Sequence, residues 1–245
     1  MSALGHLIEQ RGIATTAIGL IRLHMEKIRG PRGLWVPFEL GRPLGEPENA
    51  DFQRRVLLTA LRLLERDDGP VILEDYAEAA PGRLPETGWT PAVTLPDVPV
   101  PADDASAAEW RHVLQVELAA VLLAWDRVHD VRGYTTVGGG RLPLDAWASL
   151  VCSFLADGPT GPSPVPDLRA IQAARYVIDD LKALYTEAAV APGTNPSSQQ
   201  VLDWFWDHTV AAQLIRTVRK ACLASPDKVL TIVGSNQLVP AARVG

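Results

Sequence analysis

Two arginines and two glycines between residues 31 and 47 are the strongest candidates for binding a small molecule. Arg32 and Arg42 lie within the segment PRGLWVPFELGRPLGEP, in which Gly41 and Gly45 alternate with prolines. An arginine in a rigid glycine-rich loop that follows a strand can hold a carboxylate through two parallel hydrogen bonds. The segment therefore predicts a substrate-binding loop built from these four residues.

A structural interpretation of the same loop stays open. Glu39 and Glu46 lie three and four residues from Arg42, close enough in sequence to pair with its guanidinium. The two glycines can equally supply backbone conformations with positive φ that other residues avoid. On this alternative the loop holds itself together and contacts no ligand.

Glu117 and His208 are the candidates for acid/base catalysis. Each falls within the apolar stripe of a predicted helix, Glu117 in 105–131 and His208 in 198–224. Burying either group is costly unless it is paired, so we expect the two to face each other, or to meet Arg219 on the same stripe as His208. Such a pair can serve as acid and base with shifted pKa values, and it can equally be a satisfied core contact.

Other motifs favour structural roles. The spacing Glu109-x-x-His112 is typical of di-iron helical bundles, but its repeat Asp126-x-x-His129 lies on the same predicted helix, so no metal site is predicted. The sequence identifies no cofactor. Cys152 and Cys222 lie about 70 residues apart in apolar surroundings, which predicts two buried free thiols.

Three further features of the helical part of the chain also favour structural roles. Gly138–Arg141 lacks the spacing of a phosphate loop and predicts a helix–helix connection. Lys182 and Tyr185 share a helix and predict either an anion-binding couple or a core tyrosine beside a lysine that reaches the surface. The run Trp204-Phe205-Trp206 places aromatic side chains on opposite faces of a helix, so the helix is either buried all round or lies in an interface. Because the surrounding charge is not basic, a subunit interface is favoured over a base-stacking surface.

The N-terminal part of the chain predicts alternating strands and helices. Continuous apolar strands indicate a parallel sheet covered on both faces, a short three-layer α/β domain over 1–76. Three strands are few for such a sheet, so an edge is predicted to be missing or supplied by a partner. The elements are a helix at 3–11, strands at 13–21, 33–38 and 71–74, a short helix or turn at 22–29, and a helix at 49–66 whose apolar face is Phe52, Val56, Leu57, Ala60, Leu63 and Leu64.

The remainder predicts a proline-rich linker over 77–104 and an all-α domain over 105–245. Short connections between long helices favour an antiparallel bundle. Ser197 and Gln200 have capping-box spacing at the start of the fourth helix. The predicted helices are 105–131, 143–156 ended near Gly158, 167–191, 198–224 and a short final one through Val233.

Residues 8–75 resemble the selenoprotein B family, the B-type components of glycine, sarcosine and betaine reductases, and the related D-proline reductase subunit. The resemblance rests on the run Glu9–Ile13, on Pro31-Arg32, on Val36-Pro37-Phe38, on Leu40–Pro47, and on a helix that carries Gln53, Arg54, Val56, Leu57, Ala60 and Leu61. It implies a reductive enzyme in which a selenocysteine or cysteine attacks a small, amino-acid-like substrate.

The family's redox segment precedes the region that aligns with Ile8–Ile13, and this sequence carries no counterpart there. The resemblance therefore implies a component of a reductase-like complex whose redox group comes from a partner or a thiol cofactor. One alternative is a non-catalytic helical subunit that stabilises or regulates a partner enzyme. A second alternative is a stand-alone enzyme that uses Glu117 and His208.

Composition narrows the range of partners. A net charge of −6 without any Lys/Arg block argues against nucleic acid. No apolar run reaches the roughly 18 residues of a membrane span, so we expect no membrane partner and a cytoplasmic protein. The expected partners are another protein subunit, from the same or a different chain, and a small-molecule substrate.

Overall fold

The computed structural model of the 245-residue chain describes residues 2–80, 85–155, 162–240 and 243. The fold is mixed α/β: a small parallel sheet is accompanied by several helices. The chain divides into two compact units, Met1–Leu84 and Pro85–Gly245, each with its own hydrophobic core.

The first unit contains a three-stranded parallel sheet in the order β1-β2-β3. The strands are β1 Ala17–Gly19, β2 Arg32–Trp35 and β3 Ile72–Asp75. The middle strand aligns Gly33 with Ala17 on one side and with Leu73 on the other. The first two strands are shorter than the predicted strands 13–21 and 33–38, and the third has its predicted length but begins one residue later than predicted.

Three helices accompany this sheet: α1 Ser2–Glu9, α2 Arg22–Ile28 and α3 Ala50–Arg62, the last continued by a 3-10 turn at Leu63–Glu65. Asn49 caps α3 by accepting a hydrogen bond from the Phe52 amide. The core of the unit forms between α3 and Leu34, Val36 and Ile72. The predicted apolar face of α3 is wrong at Leu57, which is exposed.

The second unit is helical. Its helices are α4 Ala107–Arg132, α5 Leu144–Cys152 with a 3-10 turn at Ser153–Leu155, α6 Ala170–Ala189, α7 Ser198–His208, α8 Val210–Ala224 and α9 Lys228–Asn236. Capping boxes start α4 at Ser106 and α7 at Ser197, the second of which was predicted. The predicted helix ending near Gly158 lies partly outside the described residues.

The predicted helix 198–224 is two helices that meet at Thr209. This residue is extended, with φ −109° and ψ 144°, and its hydroxyl accepts a hydrogen bond from the Ala212 amide to cap α8. Trp204, Phe205 and Trp206 are buried in the core of their own unit. The prediction that these aromatics form a subunit interface is therefore wrong, because the unit itself surrounds them.

Much of the predicted linker 77–104 is part of the helical unit. Residues 81–84 lie outside the described part, and from Pro85 onward the chain belongs to the helical unit. Val93 is buried in the helical core, and the Ala92 amide donates to the Ala189 carbonyl at 2.9 Å. The proline-rich segment therefore packs against the end of α6.

Candidate functional site

The Arg42 guanidinium lies between two carboxylates of its own loop. Its Nη1 is 2.7 Å from Glu46 and 3.5 Å from Glu39. The loop is also attached to α3, because the Gln53 side chain donates to the Glu46 carbonyl at 3.0 Å. Arg42 therefore has the structural role that the alternative interpretation gave it, and its positive charge is balanced locally.

The two loop glycines have conformational roles. Gly41 has φ 91° and Gly45 has φ 82°, values that L-residues rarely adopt. A Cβ atom on Gly45 would lie 2.6 Å from the Phe52 ring, whereas one on Gly41 would meet nothing within 4 Å. Gly45 thus lets the loop approach the aromatic cluster of Phe38, Phe52 and Tyr76.

Arg32 is also paired within the first unit. Its Nη1 donates to Glu9 at 2.6 Å, and its Nη2 donates to the Arg66 carbonyl at 3.2 Å. The same Glu9 oxygen accepts hydrogen bonds from the Thr15 amide and hydroxyl. This network joins the end of α1 to the start of β2, so both predicted substrate-binding arginines are neutralised by glutamates of their own unit.

Glu117 lies in the core of the helical unit, where it is 2% exposed. Its Oε2 accepts from the Val210 amide at 2.8 Å, and its Oε1 accepts from the Ala211 amide at 3.1 Å. The Tyr185 hydroxyl donates to Oε1 at 2.7 Å. Glu117 therefore caps α8 from a different helix, where unpaired amides and the helix dipole favour a carboxylate.

The predicted pairing of Glu117 with His208 is wrong. His208 is exposed at the last position of α7, and the break at Thr209 removes it from the buried stripe on which the prediction depended. Nor does the Glu117 carboxylate meet Arg219, since its hydrogen-bond donors are Tyr185 and the two amides of α8.

The environment of Glu117 disfavours ionisation. Burial raises the pKa of Glu117 above 4.5, although the two α8 amides and the Tyr185 hydroxyl oppose this shift. Burial and the neighbouring glutamate also raise the pKa of Tyr185 well above 10. The predicted couple of Lys182 and Tyr185 is separated in the structure. The Tyr185 hydroxyl donates to Glu117, whereas the Lys182 ammonium donates to Asp179.

Two buried carboxylates on α6 were missed in the sequence. Asp180 accepts hydrogen bonds from three successive amides, those of Gly138, Gly139 and Gly140, at 2.7–3.0 Å. Glu187 accepts from the Trp125 indole and from the amide and hydroxyl of Thr136. Together they fix the loop after α4, which explains the glycine run as a carboxylate-bound turn.

The periodicity of the α6 sequence indicates that these two carboxylates are buried. Ala173, Val177, Leu184 and Ala188 follow a helical period on α6, and all four are buried. Asp180 and Glu187 fall within this second apolar stripe, which is separate from the one that contains Tyr185. Both stripes of α6 are buried, so an acidic residue inside either of them must be satisfied by hydrogen-bond partners.

Neither cysteine is a reactive thiol. Cys152 and Cys222 are both buried and free. Burial raises the pKa of Cys152 to about 12 and that of Cys222 to about 11. Because the thiolate is the nucleophile, both groups are inert at neutral pH.

The described residues contain no cluster of three or more His, Cys, Asp or Glu side chains arranged to hold a metal ion. The His112 and His129 motifs accordingly lie along α4 without completing a site; His129 stacks on Trp125 instead. Within the same residues, no helix is both long and apolar enough to cross a membrane.

Comparison with protein-family models, with curated proteins and with solved structures finds no match to this chain. The geometry of the two units is therefore the basis for a functional proposal.

Proposed function

We propose that this chain is a non-catalytic component of a reductase-like complex whose redox group is provided by a partner protein or a thiol cofactor. The resemblance of residues 8–75 to selenoprotein B components supplies the reaction class. The proposal retains the finer predicted architecture, a three-layer α/β half and an antiparallel helical bundle.

The observation that carries the non-catalytic role is that the candidate groups are satisfied inside their own units. Arg32 and Arg42 pair with glutamates, Glu117 caps α8, and both thiols are buried with raised pKa values. The charges of both arginines are already compensated, and Glu117 and the two thiols are buried, so none of these groups is presented to a substrate as a reactive group.

The distribution of apolar surface supports a role in assembly. Large hydrophobic side chains are exposed more densely in the first unit than in the larger second unit. Exposed apolar surface, where it is contiguous, is a feature of protein–protein contact sites. In the first unit these residues are Leu4, Leu7, Ile13, Ile21, Leu23, Ile28, Leu40, Leu57, Leu58, Leu61 and Val71; in the second they are Val100, Val116, Leu123, Val131, Tyr134, Leu144, Leu223 and Ile232.

The test is to purify the native complex through a tag on this chain and to assay reduction of glycine, sarcosine, betaine and D-proline with dithiothreitol as the electron donor. We expect turnover by the complex and none by the isolated chain. Iodoacetamide treatment of this chain alone, followed by reassembly, should leave turnover unchanged, whereas treatment of the partner should abolish it.

Arg42→Ala provides the matched test of the substrate-binding alternative. Because Arg42 is neutralised by Glu39 and Glu46, we expect the reassembled complex to keep turnover within about twofold of the unmodified complex. A loss of turnover in a complex that still assembles would instead support a role for Arg42 in binding substrate. Turnover by the isolated chain, insensitive to iodoacetamide, would overturn the proposal as a whole.

A further inference from the structure

Each of the two N-terminal helices carries large aliphatic side chains on the side that faces away from its contacts within the first unit. On α1, Glu9 reaches Thr15 and Arg32 on the inner side, whereas Leu4 and Leu7 are exposed. At 100° per residue, Leu4 and Leu7 lie on the opposite side of the helix from Glu9. Helices of a self-contained domain carry polar residues on that outer side.

The second helix repeats this arrangement. Met25 is its inward residue, since a Cβ placed on Gly19 or Gly33 would lie 2.2 or 2.5 Å from the methionine side chain. Leu23 points the opposite way and is 54% exposed, and no residue of α2 is buried. We name the exposed aliphatic side chains Leu4, Leu7, Ile13, Ile21 and Leu23 the α1–α2 surface. Ile28 is also exposed, but it lies about 140° around α2 from Leu23 and is not part of this surface.

The charges on the same segment are predominantly positive. Glu9 and Glu26 are neutralised by Arg32 and Arg22. Arg11, Lys27 and Arg29 are exposed and make no ion pair with any residue that the structure describes. The α1–α2 surface is therefore an apolar region bordered by three uncompensated cations.

We propose that the α1–α2 surface binds a partner protein whose contact region is apolar and bordered by carboxylates. Fifteen residues of the segment 4–29 are exposed. The segment can therefore form the larger part of one side of a stable interface, which usually comprises about 20–30 residues. The three cations require acidic residues on the partner, which steer association and exclude unsuitable partners.

A second copy of this chain fits the surface poorly. A twofold contact places the same patch on both copies, so the cations of one copy would meet those of the other. A head-to-tail contact between copies would form a ring or an open chain, depending on whether its rotation closes, and the crosslinking experiment below detects either as an adduct between two copies. A different, acidic protein satisfies both the apolar and the charged residues.

This inference rests on the proposed function, since the occupant is the partner of the same complex. The first experiment places the photo-crosslinker p-benzoylphenylalanine at Leu23 in the full chain, in cells that contain the native complex. The control position is Leu123 on α4, which is 62% exposed and equally accessible. We expect one adduct from position 23 and none with the same protein from position 123.

The crosslinked peptide of the partner is then identified by mass spectrometry. The proposal requires apolar residues at the attachment point with Asp or Glu beside them. An adduct between two copies of this chain, or a linked peptide rich in Lys and Arg, would overturn it.

The second experiment measures the dissociation constant of the purified pair. Leu23→Ala and Lys27→Glu should each weaken binding about tenfold, while Leu123→Ala leaves it unchanged. Lys27→Glu should also reduce the loss of affinity on raising salt, because it removes a screened attraction. Unchanged melting temperatures would show that these outward residues do not support the fold.

The two proposals fail in distinguishable ways. If a partner is captured but Leu23→Ala and Lys27→Glu bind it with unchanged affinity, the docking surface is wrong and membership of the complex stands. If the isolated chain reduces substrate by itself, the proposed function fails whatever the α1–α2 surface binds.

Discussion

The Tyr185 hydroxyl and the Glu117 carboxylate form a buried hydrogen bond of 2.7 Å that joins α6 to α4. The same carboxylate accepts from the first amides of α8, so one side chain connects three helices. This relationship explains why the most conspicuous acidic residue of the buried stripe has a structural role.

Replacing Glu117 with Gln is predicted to destabilise the helical unit by about 2–3 kcal/mol, because an amide cannot accept all three hydrogen bonds in this buried position. Unfolding in urea can be followed by tryptophan fluorescence, which reports mainly on this unit since six of the seven tryptophans lie there. His208→Gln is the control and should change stability by less than about 0.5 kcal/mol, as its side chain is exposed. Equal effects of the two variants would contradict the capping role.

Glu117 and Glu187 should affect stability with opposite dependence on pH. The native pKa of Glu117 lies above 4.5 because of burial, so its native state binds the extra proton and stability falls as pH rises through that pKa. For Glu187, burial raises the pKa, but hydrogen bonds from Thr136, Trp125 and Thr135 outweigh it and lower the pKa below 4.5. Glu187 therefore contributes to the free energy of unfolding above pH 4.5, and this contribution is lost as the pH falls through the native pKa of Glu187.

The measurement is the free energy of unfolding of the unmodified chain minus that of each Glu→Gln variant, from about pH 3 to pH 7. The Glu117 difference should decrease as pH rises above 4.5, and the Glu187 difference should decrease as pH falls below 4.5. Differences that change in the same direction would refute the assigned causes.

Asp180→Asn should release the glycine turn after α4. The variant keeps one acceptor oxygen for three amides, which we expect to cost about 1–3 kcal/mol. Hydrogen exchange of the peptide that contains Gly138–Gly140 should accelerate at the same time. The neighbouring Asp179→Asn is the matched control, because Asp179 makes only partly exposed ion pairs with Arg175 and Lys182. Unaltered exchange in Asp180→Asn would show that the turn forms without the carboxylate.

Alanine substitutions at the two loop glycines should differ in cost. Gly41→Ala introduces only the strain of a positive φ, about 1–2 kcal/mol. Gly45→Ala adds a collision with the Phe52 ring and should cost at least about 1 kcal/mol more. Thermal unfolding of the first unit, followed by the near-ultraviolet signal of Phe38, Phe52 and Tyr76, measures both. A larger effect at Gly41 would instead indicate a role outside packing.

Both thiols should resist modification in the native protein. At pH 8 the reagent 5,5′-dithiobis(2-nitrobenzoic acid) is expected to titrate neither Cys152 nor Cys222 within minutes, since burial raises both pKa values and blocks access. In denaturing urea two thiols should react. Rapid reaction of either native thiol would reopen a redox role for this chain.

Local patterns in the sequence were sufficient for much of the fold. Apolar β-branched runs placed the three parallel strands, and the Ser197–Gln200 spacing located the start of α7. These features depend on neighbours within a few residues, so sequence reasoning reaches them. The pairing of Arg42 with Glu39 and Glu46 is also local, since the partners lie three and four residues away, and the sequence alone offered it as an alternative to ligand binding.

The roles of the buried carboxylates required the tertiary structure. Glu117 caps a helix that begins 93 residues later in the chain, and Asp180 binds amides about 40 residues earlier. A helical period can show that an acidic residue is buried, but its partner depends on which elements pack together. The break at Thr209 also depends on packing, because the cap that stabilises the start of α8 comes partly from Glu117 on α4. The sequence by itself established that a buried Glu117 needed a partner. Only the packing of the helices decided that this partner was the end of a helix.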